Sequence, residues 1–394
     1  MGVSTVAFMT DPNLLMIPGP IGLTPQVLAA LATPQRGHLD PVFMKAFGRV
    51  LERLRHVLAA PTAQPFVVSG SGTLAMEMAV ANLVQRGDSA LVVNCGYFSD
   101  RIGAMLELHG ATVTHVRAEP GDLAGLDAVE RALQAGRFKV MTITHVDTST
   151  GVLAPVQALA KLAHAHGALV VVDGVCSVGG EALEFDAWGV DVAFTASQKA
   201  LGAPPGLGVL LASPRAMEAW KARTAPVASM YLDFGQWLPI MQAYEAGTPS
   251  YFATPAVNLL LALDVSLGQL LDETMPTRVA RHVGLAHAAR AAWSALGLTP
   301  LTKTTALTAH TLSALKYPTG VDATLVKHVA AHGVNIAGGL HPAIKATYFR
   351  VGHMGSTDAG ALLSTIAAVE SGLKTSGHRF DVGAGVAAAQ RTLG

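Results

Sequence analysis

The chain has 394 residues, with 27 Lys+Arg against 27 Asp+Glu, 51% hydrophobic residues and only 14% charged, where a soluble protein usually carries about 25% charged. A formal charge of zero leaves no basic field for a phosphate backbone, and so much apolar residue excludes a disordered chain. The length exceeds the roughly 250 residues at which single cores stop growing, so one large domain with a smaller companion is expected. Scarce surface charge in turn predicts a homodimer, because a monomer needs charge to stay apart from its neighbours.

The first clear element is a helix. Asp40 stands at its N-cap, Pro41 at its first position, and Phe43, Phe47, Val50, Leu51, Leu54, Val57 and Leu58 follow at helical spacing. Seven apolar runs then alternate with amphipathic stretches: 65–70, 90–95, 112–116, 139–146, 168–175, 190–197 and 206–213. Continuous rather than alternating apolarity means strands covered on both faces, as in a largely parallel α/β sheet. The helices between them end at Gly87, Gly110, Gly136 and Gly167. After Thr254 the pattern becomes long helices (254–273 and 276–296), a strand (310–317), a helix (325–333), a strand (348–352) and a last helix (357–372). This predicts an N-terminal arm (1–20), a large domain (21–270) and a small α+β domain (271–394). The apolar stretch 253–271 is broken by Pro255, Asn258, Asp264, Ser266 and Gln269, so it reads as a buried helix and not a membrane span. The N-terminus has no basic region followed by an apolar segment, which makes the cytosol the expected compartment. Cys95 and Cys176 cannot form a disulfide framework and read as small buried thiols.

Candidate chemistry gathers where an open α/β sheet places its ligands, at the carboxyl ends of strands. The turn SGSGTLAME (69–77) leads a strand into a helix, with small residues for close approach and Ser71 and Thr73 as hydroxyl donors: an anion cup. Gly70 to Ala75 also matches GxGxxA, a dinucleotide turn, yet the next strand ends at Asn94 and Cys95 without the acid such a site needs. Asp173 closes one apolar strand and Lys199 follows the next. One ligand could touch all three features. A phosphate, a ring nitrogen that wants a carboxylate and an aldehyde that wants an amine describe pyridoxal 5′-phosphate, with Phe98 placed to stack on its ring. Fifteen histidines suggest no metal centre: His328 and His332, at i and i+4, belong to a helix end closed by Gly333 and read as surface residues. His164 and His166 lie two apart on a helix and cannot face one ligand.

At these residues the sequence resembles the class V (fold type I) pyridoxal-phosphate aminotransferases, in the branch of the alanine-glyoxylate and serine-pyruvate (serine-glyoxylate) enzymes. The resemblance runs from MIPGPIGLTPQVL (16–28) through THVDTSTGVLAPV (144–156), VVDGVCSVGG (171–180), SQKALGAPPG (197–206) and TPSYFATPAVN (248–258) to YFRVGHMG (348–355). It implies Lys199 as the Schiff-base lysine and Asp173 as the ring-nitrogen partner. Phe98 becomes the stacking ring, while Ser71, Gly72, Thr73 and Gln198 hold the phosphate and Thr148 lies near the ring hydroxyl. It further implies that Tyr251 and Thr254 reach the phosphate of the neighbouring subunit. Arg350 would bind the substrate α-carboxylate, as a planar fork in an apolar strand suits. The implied reaction is a ping-pong transfer from alanine or serine to glyoxylate or pyruvate. The sequence departs from the family at Thr73 (often His), Phe98 (often Trp) and Thr148 (often Ser), each keeping the hydrogen bond or the π-face. The GHLDP segment (37–41) also varies from a common GHR-type form, which leaves any substrate role for His38 open. A desulfurase would need a nucleophilic Cys in the C-terminal region, where none occurs. A nicotinamide-dependent dehydrogenase would leave Lys199 and Asp173 without work, and a non-catalytic relative would be expected to lose them.

Overall fold

The computed structural model describes residues 13–394; residues 1–12 of the expected N-terminal arm lie outside the described residues. Chain entry is a short strand, β1 (Leu14–Leu15), and the large core is then built on seven strands. These are β2 (Gln64–Ser69), β3 (Ser89–Asn94), β4 (Thr112–Arg117), β5 (Val140–Thr144), β6 (Leu169–Asp173), β7 (Val192–Ala196) and β8 (Leu207–Ala212). They lie in the order β2-β8-β7-β6-β5-β3-β4. Strand β8 runs antiparallel to both its neighbours, while all other pairs are parallel. The carboxyl ends of β2, β3, β5, β6 and β7 therefore share one edge, and the loops leaving that edge carry the candidate residues.

Strands β5, β6, β7 and β8 are buried along their whole length, in keeping with their unbroken apolar runs. The run 112–116 behaves differently. It forms the edge strand β4, whose residues are all exposed or half-buried, because helices cover an inner strand from both faces but an edge strand only in part. The helix Pro41–Val57 begins as its sequence predicts, with Oδ1 of Asp40 accepting the Val42 and Phe43 amides at 2.8 and 3.4 Å. Its apolar face packs on helices Phe234–Ala246 and Val257–Glu273 in the same core.

Thr274, in a left-handed conformation (φ 66°), separates helix Val257–Glu273 from helix Met275–Ala295. The first helix packs into the sheet core through Leu260, Leu263, Leu267 and Leu270, and the second into another core through Leu285, Ala289 and Trp293. That second core lies under a three-stranded antiparallel sheet of β9 (Leu312–Lys316), β11 (Ala337–Gly338) and β12 (Tyr348–Gly352), in the order β11-β12-β9. A further short strand, β10 (Val334–Asn335), pairs in parallel with β1, and Met16 joins the second core. The entering chain is thus stitched to the C-terminal region. Sequence patterning also passed over helices Pro25–Leu31, Pro214–Lys221, Phe234–Ala246 and Ala384–Leu393. The last of these packs along helix Met275–Ala295. Among the described residues no helix is long and apolar enough to cross a membrane.

Gly48 sits inside helix Pro41–Val57, where helix propensity alone favours Ala by about 1 kcal/mol. A Cβ there would lie 2.7 Å from the carbonyl oxygen of Tyr244 on the crossing helix. Backbone cannot retreat as a side chain can, so Gly48→Ala should destabilise the protein by about 1–3 kcal/mol. Chemical denaturation checks this; a gain in stability would mean that propensity outweighs the helix contact.

Candidate active site

Asp173 is the last residue of β6 and is 3% exposed. Its Oδ1 accepts the Val175 amide at 2.9 Å, so this buried carboxylate also holds the turn that leaves the strand. Burial pushes its carboxyl up to about 7, and the nearby Asp147 adds to the rise. Lys199 follows β7 in the next loop, 9% exposed, and its Nζ donates to the carbonyl oxygen of Pro18. Desolvation pulls the ammonium below its ordinary pKa; Arg350 adds to the fall, while Cys176 and Asp173 oppose it. The Pro18 contact was not foreseen. It requires Gly19, which adopts φ +85° and whose Cβ, were there one, would lie 2.3 Å from Cδ of Lys199.

The anion cup is the N-terminus of helix Gly72–Leu83, which leaves the end of β2. Its N-cap, Ser71, makes no side-chain capping bond, and both Ser71 and Thr73 are exposed, so amides and hydroxyl at this end are offered outward. Nη1 of Arg101 donates to Oγ1 of Thr73 at 3.1 Å. The same guanidinium lies 5.0 Å from the Tyr97 ring centroid and 4.9 Å from that of Phe98. Arg101 brings a positive charge to the cup and was missed in the sequence; its i, i+4 spacing from Tyr97 at a helix start was the available signal. Gln198, beside Lys199, keeps a buried Oε1 with no hydrogen-bond partner among the described residues.

A second residue missed in the sequence is Asp147, fully buried in the loop after β5. Gly96, the N-cap of helix Tyr97–Leu108, has no side chain to cap with. Oδ2 of Asp147 accepts the amides of Phe98 and Ser99 instead, at 3.0 and 3.4 Å, while Oδ1 accepts the Ser149 amide at 2.8 Å and its hydroxyl at 2.5 Å. A capping carboxylate borrowed from another strand end welds the helix carrying Phe98 to the loop carrying Thr148. The Asp-x-Ser spacing of an Asx turn was its only local sign.

Strand β12 completes the arrangement through its alternation. Phe349 and Val351 enter the second core, whereas Tyr348 and Arg350 point the other way, toward the loop after β5. Arg350 is 8% exposed, donating from Nη1 to the Thr148 carbonyl at 3.0 Å and from Nε to the Gly338 carbonyl at 2.9 Å. It is no snorkelling surface arginine. The Tyr348 hydroxyl donates to the Ser149 carbonyl and accepts the amides of Leu340 and His341 at 2.8 and 2.9 Å. Lys199, Asp173, Phe98, Thr148 and Arg350 thus lie on loops and strands tied to one another. Tyr251 and Thr254 are not tied to them: both are exposed, their hydroxyls 3.3 Å apart, with His38 against the Tyr251 ring at 5.1 Å.

Cys95 and Cys176 are both buried free thiols. His328 is engaged with the Ser376 hydroxyl at 2.8 Å, and His164 faces Asp191 at 3.2 Å.

Comparison with known proteins agrees with this geometry. The family model described as aminotransferase class-V matches residues 28–357. The alanine-glyoxylate aminotransferase 1 of Saccharomyces cerevisiae is 39% identical, over 88% of this chain and 92% of its own. The L-aspartate-glyoxylate aminotransferase of Paracoccus denitrificans is 34% identical, over 97% and 96%. Among solved structures, the ureidoglycine-glyoxylate aminotransferase of Bacillus subtilis superposes with a TM-score of 0.91 at 25% identity, over 98% of this chain and 99% of its own. The chain belongs to the class V aminotransferases, fold type I enzymes whose cofactor is pyridoxal phosphate.

Proposed function

We propose that this enzyme transfers the amino group of a small monocarboxylic L-amino acid, alanine before serine, to glyoxylate. The observation that carries the reading is a buried strand-end carboxylate, Asp173, and a desolvated lysine, Lys199, near enough to act on one another's ionisation, with the buried Arg350 acting on the lysine as well. The donor set suits the cofactor on grounds internal to the protein. Among the described residues, Asp173 is a buried acid without an ion-pair partner, and Gln198 keeps a buried polar atom unpaired. A protonated ring nitrogen and a phosphate ester would answer these two needs.

When bound, pyridoxal phosphate supplies an electron sink for the charge that develops at the substrate Cα. Asp173 would keep the proton on the ring nitrogen, and Phe98 would cover the ring face. Ser71, Gly72, Thr73 and Gln198 would hold the phosphate, with the Arg101 charge behind Thr73, and Thr148 would serve the ring hydroxyl. Lys199 would hold the cofactor's aldehyde end, and its Nζ would be the base that takes the proton from the substrate Cα. Its lowered pKa favours the neutral amine this task requires. Arg350, already fixed by two carbonyl contacts, presents its remaining edge to the α-carboxylate. Glyoxylate is the acceptor named for all three relatives compared above, and pyruvate is the second choice. Exposed Tyr251 and Thr254 fit a homodimer in which each subunit completes its neighbour's phosphate site. Two free thiols suit a reducing compartment such as the cytosol.

Absorbance between about 300 and 500 nm follows the lysine-bound cofactor directly. The visible band should fade on adding L-alanine and return with glyoxylate; a band indifferent to both would overturn the assignment. Lys199→Ala should lose both band and turnover. Arg350→Lys should raise KM for alanine about 10–100-fold through loss of the bidentate geometry, and an unchanged KM would remove Arg350 from the site.

Asp173 also makes a pH prediction for protein freed of cofactor. Its carboxyl is raised from 3.8 to about 7 on folding, so the folded chain holds that proton more tightly than the unfolded one. The resulting stabilisation is complete below about pH 4 and is lost as pH rises through 7, a change on the order of a few kcal/mol. Asp173→Asn should flatten this part of the stability profile, measured by denaturation from pH 5 to 8. An unaltered slope would mean that Asp173 does not titrate there.

A further inference from the structure

The segment that carries Asp147 and Thr148 also lines a second cavity, of about 600 Å³, within the range of small-molecule sites. None of the residues assigned above to cofactor or substrate lines it. Its walls are Leu153, Val156, Val279, Val283 and Leu307, and its aromatic side is Trp188. His145 lies against that tryptophan edge to face, ring centroids 6.3 Å apart at 81°. It is 3% exposed and its Nδ1 has no hydrogen-bond partner among the described residues. Nδ1 is closed off from the cavity, so Nε2, which makes no hydrogen bond among the described residues, is the ring nitrogen a ligand can pair with.

The other polar groups restrict what that ligand can be. Glu181 is 4% exposed, and its carboxylate accepts the His310 amide at 2.5 Å and faces His310 Nδ1 at 2.7 Å. An anion would meet this carboxylate, and a cation would have to displace His310 from it. Burial holds His145 down at about 4, so that ring is uncharged at neutral pH and favours a neutral partner. A neutral imidazole offers one donor and one acceptor nitrogen, so a hydroxyl can pair with Nε2 in either tautomer and an N–H in the tautomer that leaves Nε2 an acceptor. Trp188 favours a flat ring.

We propose that this cavity binds a small uncharged aromatic molecule bearing one hydroxyl or N–H, its ring against Trp188 and its polar atom hydrogen-bonded to His145. The site adjoins the catalytic region through the backbone. The His145 amide donates to the Asp173 carbonyl at 3.0 Å, and the Leu153 amide donates to the Leu307 carbonyl at 2.8 Å. A ligand seated here touches His145, just past the end of β5, whose amide is bonded to the strand end that presents Asp173.

Calorimetric titration of the cofactor-loaded enzyme with phenol, indole and toluene tests the proposal. Phenol and indole should each bind saturably at one site per chain, and toluene, which cannot pair with His145, about tenfold more weakly or worse. His145→Phe should erase the advantage of phenol over toluene. Ala306→Trp or Ala182→Trp, both at exposed rim positions, should block all three probes while leaving thermal stability unchanged. Absence of saturable binding, equal affinity for phenol and toluene in the parent enzyme, or phenol binding that survives both rim substitutions would each overturn it. The parent comparison of phenol with toluene decides the matter even if His145→Phe does not fold.

Discussion

The structure turns on the cost of placing ionisable groups where water cannot reach them. Asp173, Lys199 and Arg350 are each at least nine-tenths buried, and an isolated buried charge is among the most expensive things a fold can contain. The protein offsets that cost in a different way for each group. Arg350 is given two main-chain carbonyls and stays charged. Lys199 is given the Pro18 carbonyl and a lowered pKa, and Asp173 is given one amide and a carboxyl raised to about 7. The two groups expected to exchange protons are the two left under-satisfied. Arg350, expected to bind and not to react, is held fast. This is the pattern expected where perturbed ionisation is put to use.

Holding such groups in register needs loops that do not move independently. The parallel sheet delivers five loops to one edge, but parallel topology alone fixes only where they begin. Asp147 and Tyr348 then fasten them. Asp147 caps the helix after β3 from the loop after β5, and Tyr348 pins that same loop to strand β12. Because Arg350 lies two residues from Tyr348 on the same face, Arg350 and the helix carrying Phe98 are set by one chain of hydrogen bonds. β1 adds a further tie, since the chain that brings Pro18 to Lys199 is itself paired with β10. The described part of the expected arm thus carries the carbonyl that accepts from the lysine.

The sheet was legible because its strands are long apolar runs buried on both faces, and period alone finds those. Strand β4 read the same way, yet it became an exposed edge, since a run of Thr, Val and His does not say how many neighbours it will have. Helix Phe234–Ala246 escaped notice for a related reason: it contains Pro239, and apolar residues surround it with little periodicity. Lys199, Asp173 and Arg350 were legible because a charge next to an apolar strand is a local anomaly. Arg101 and Asp147 were not, because each acts on partners that the fold alone brings near: Thr73, 28 residues before Arg101, and Phe98, 49 residues before Asp147. Tyr251 and Thr254 rest on the resemblance alone, as one chain offers them nothing but each other and His38.

The departures at Thr73 and Phe98 become intelligible together. Where relatives often carry an imidazole and an indole, this chain has a hydroxyl and a phenyl ring, so the cup loses a bulky polar group and the stacking face shrinks. Arg101 bridges the two positions, donating to Thr73 while its guanidinium covers Phe98. A planar cation on an aromatic face limits the ring's freedom and brings to the cup the charge that neither smaller residue supplies. Arg101 in turn lowers the carboxyl of Asp173, against the larger effect of burial. One guanidinium on the helix after β3 thereby acts on Thr73, the Phe98 ring and the Asp173 carboxyl. Substitution at any of these positions is felt at the other two, which is why Thr73 and Phe98 are better understood as a pair joined by Arg101 than as two separate replacements.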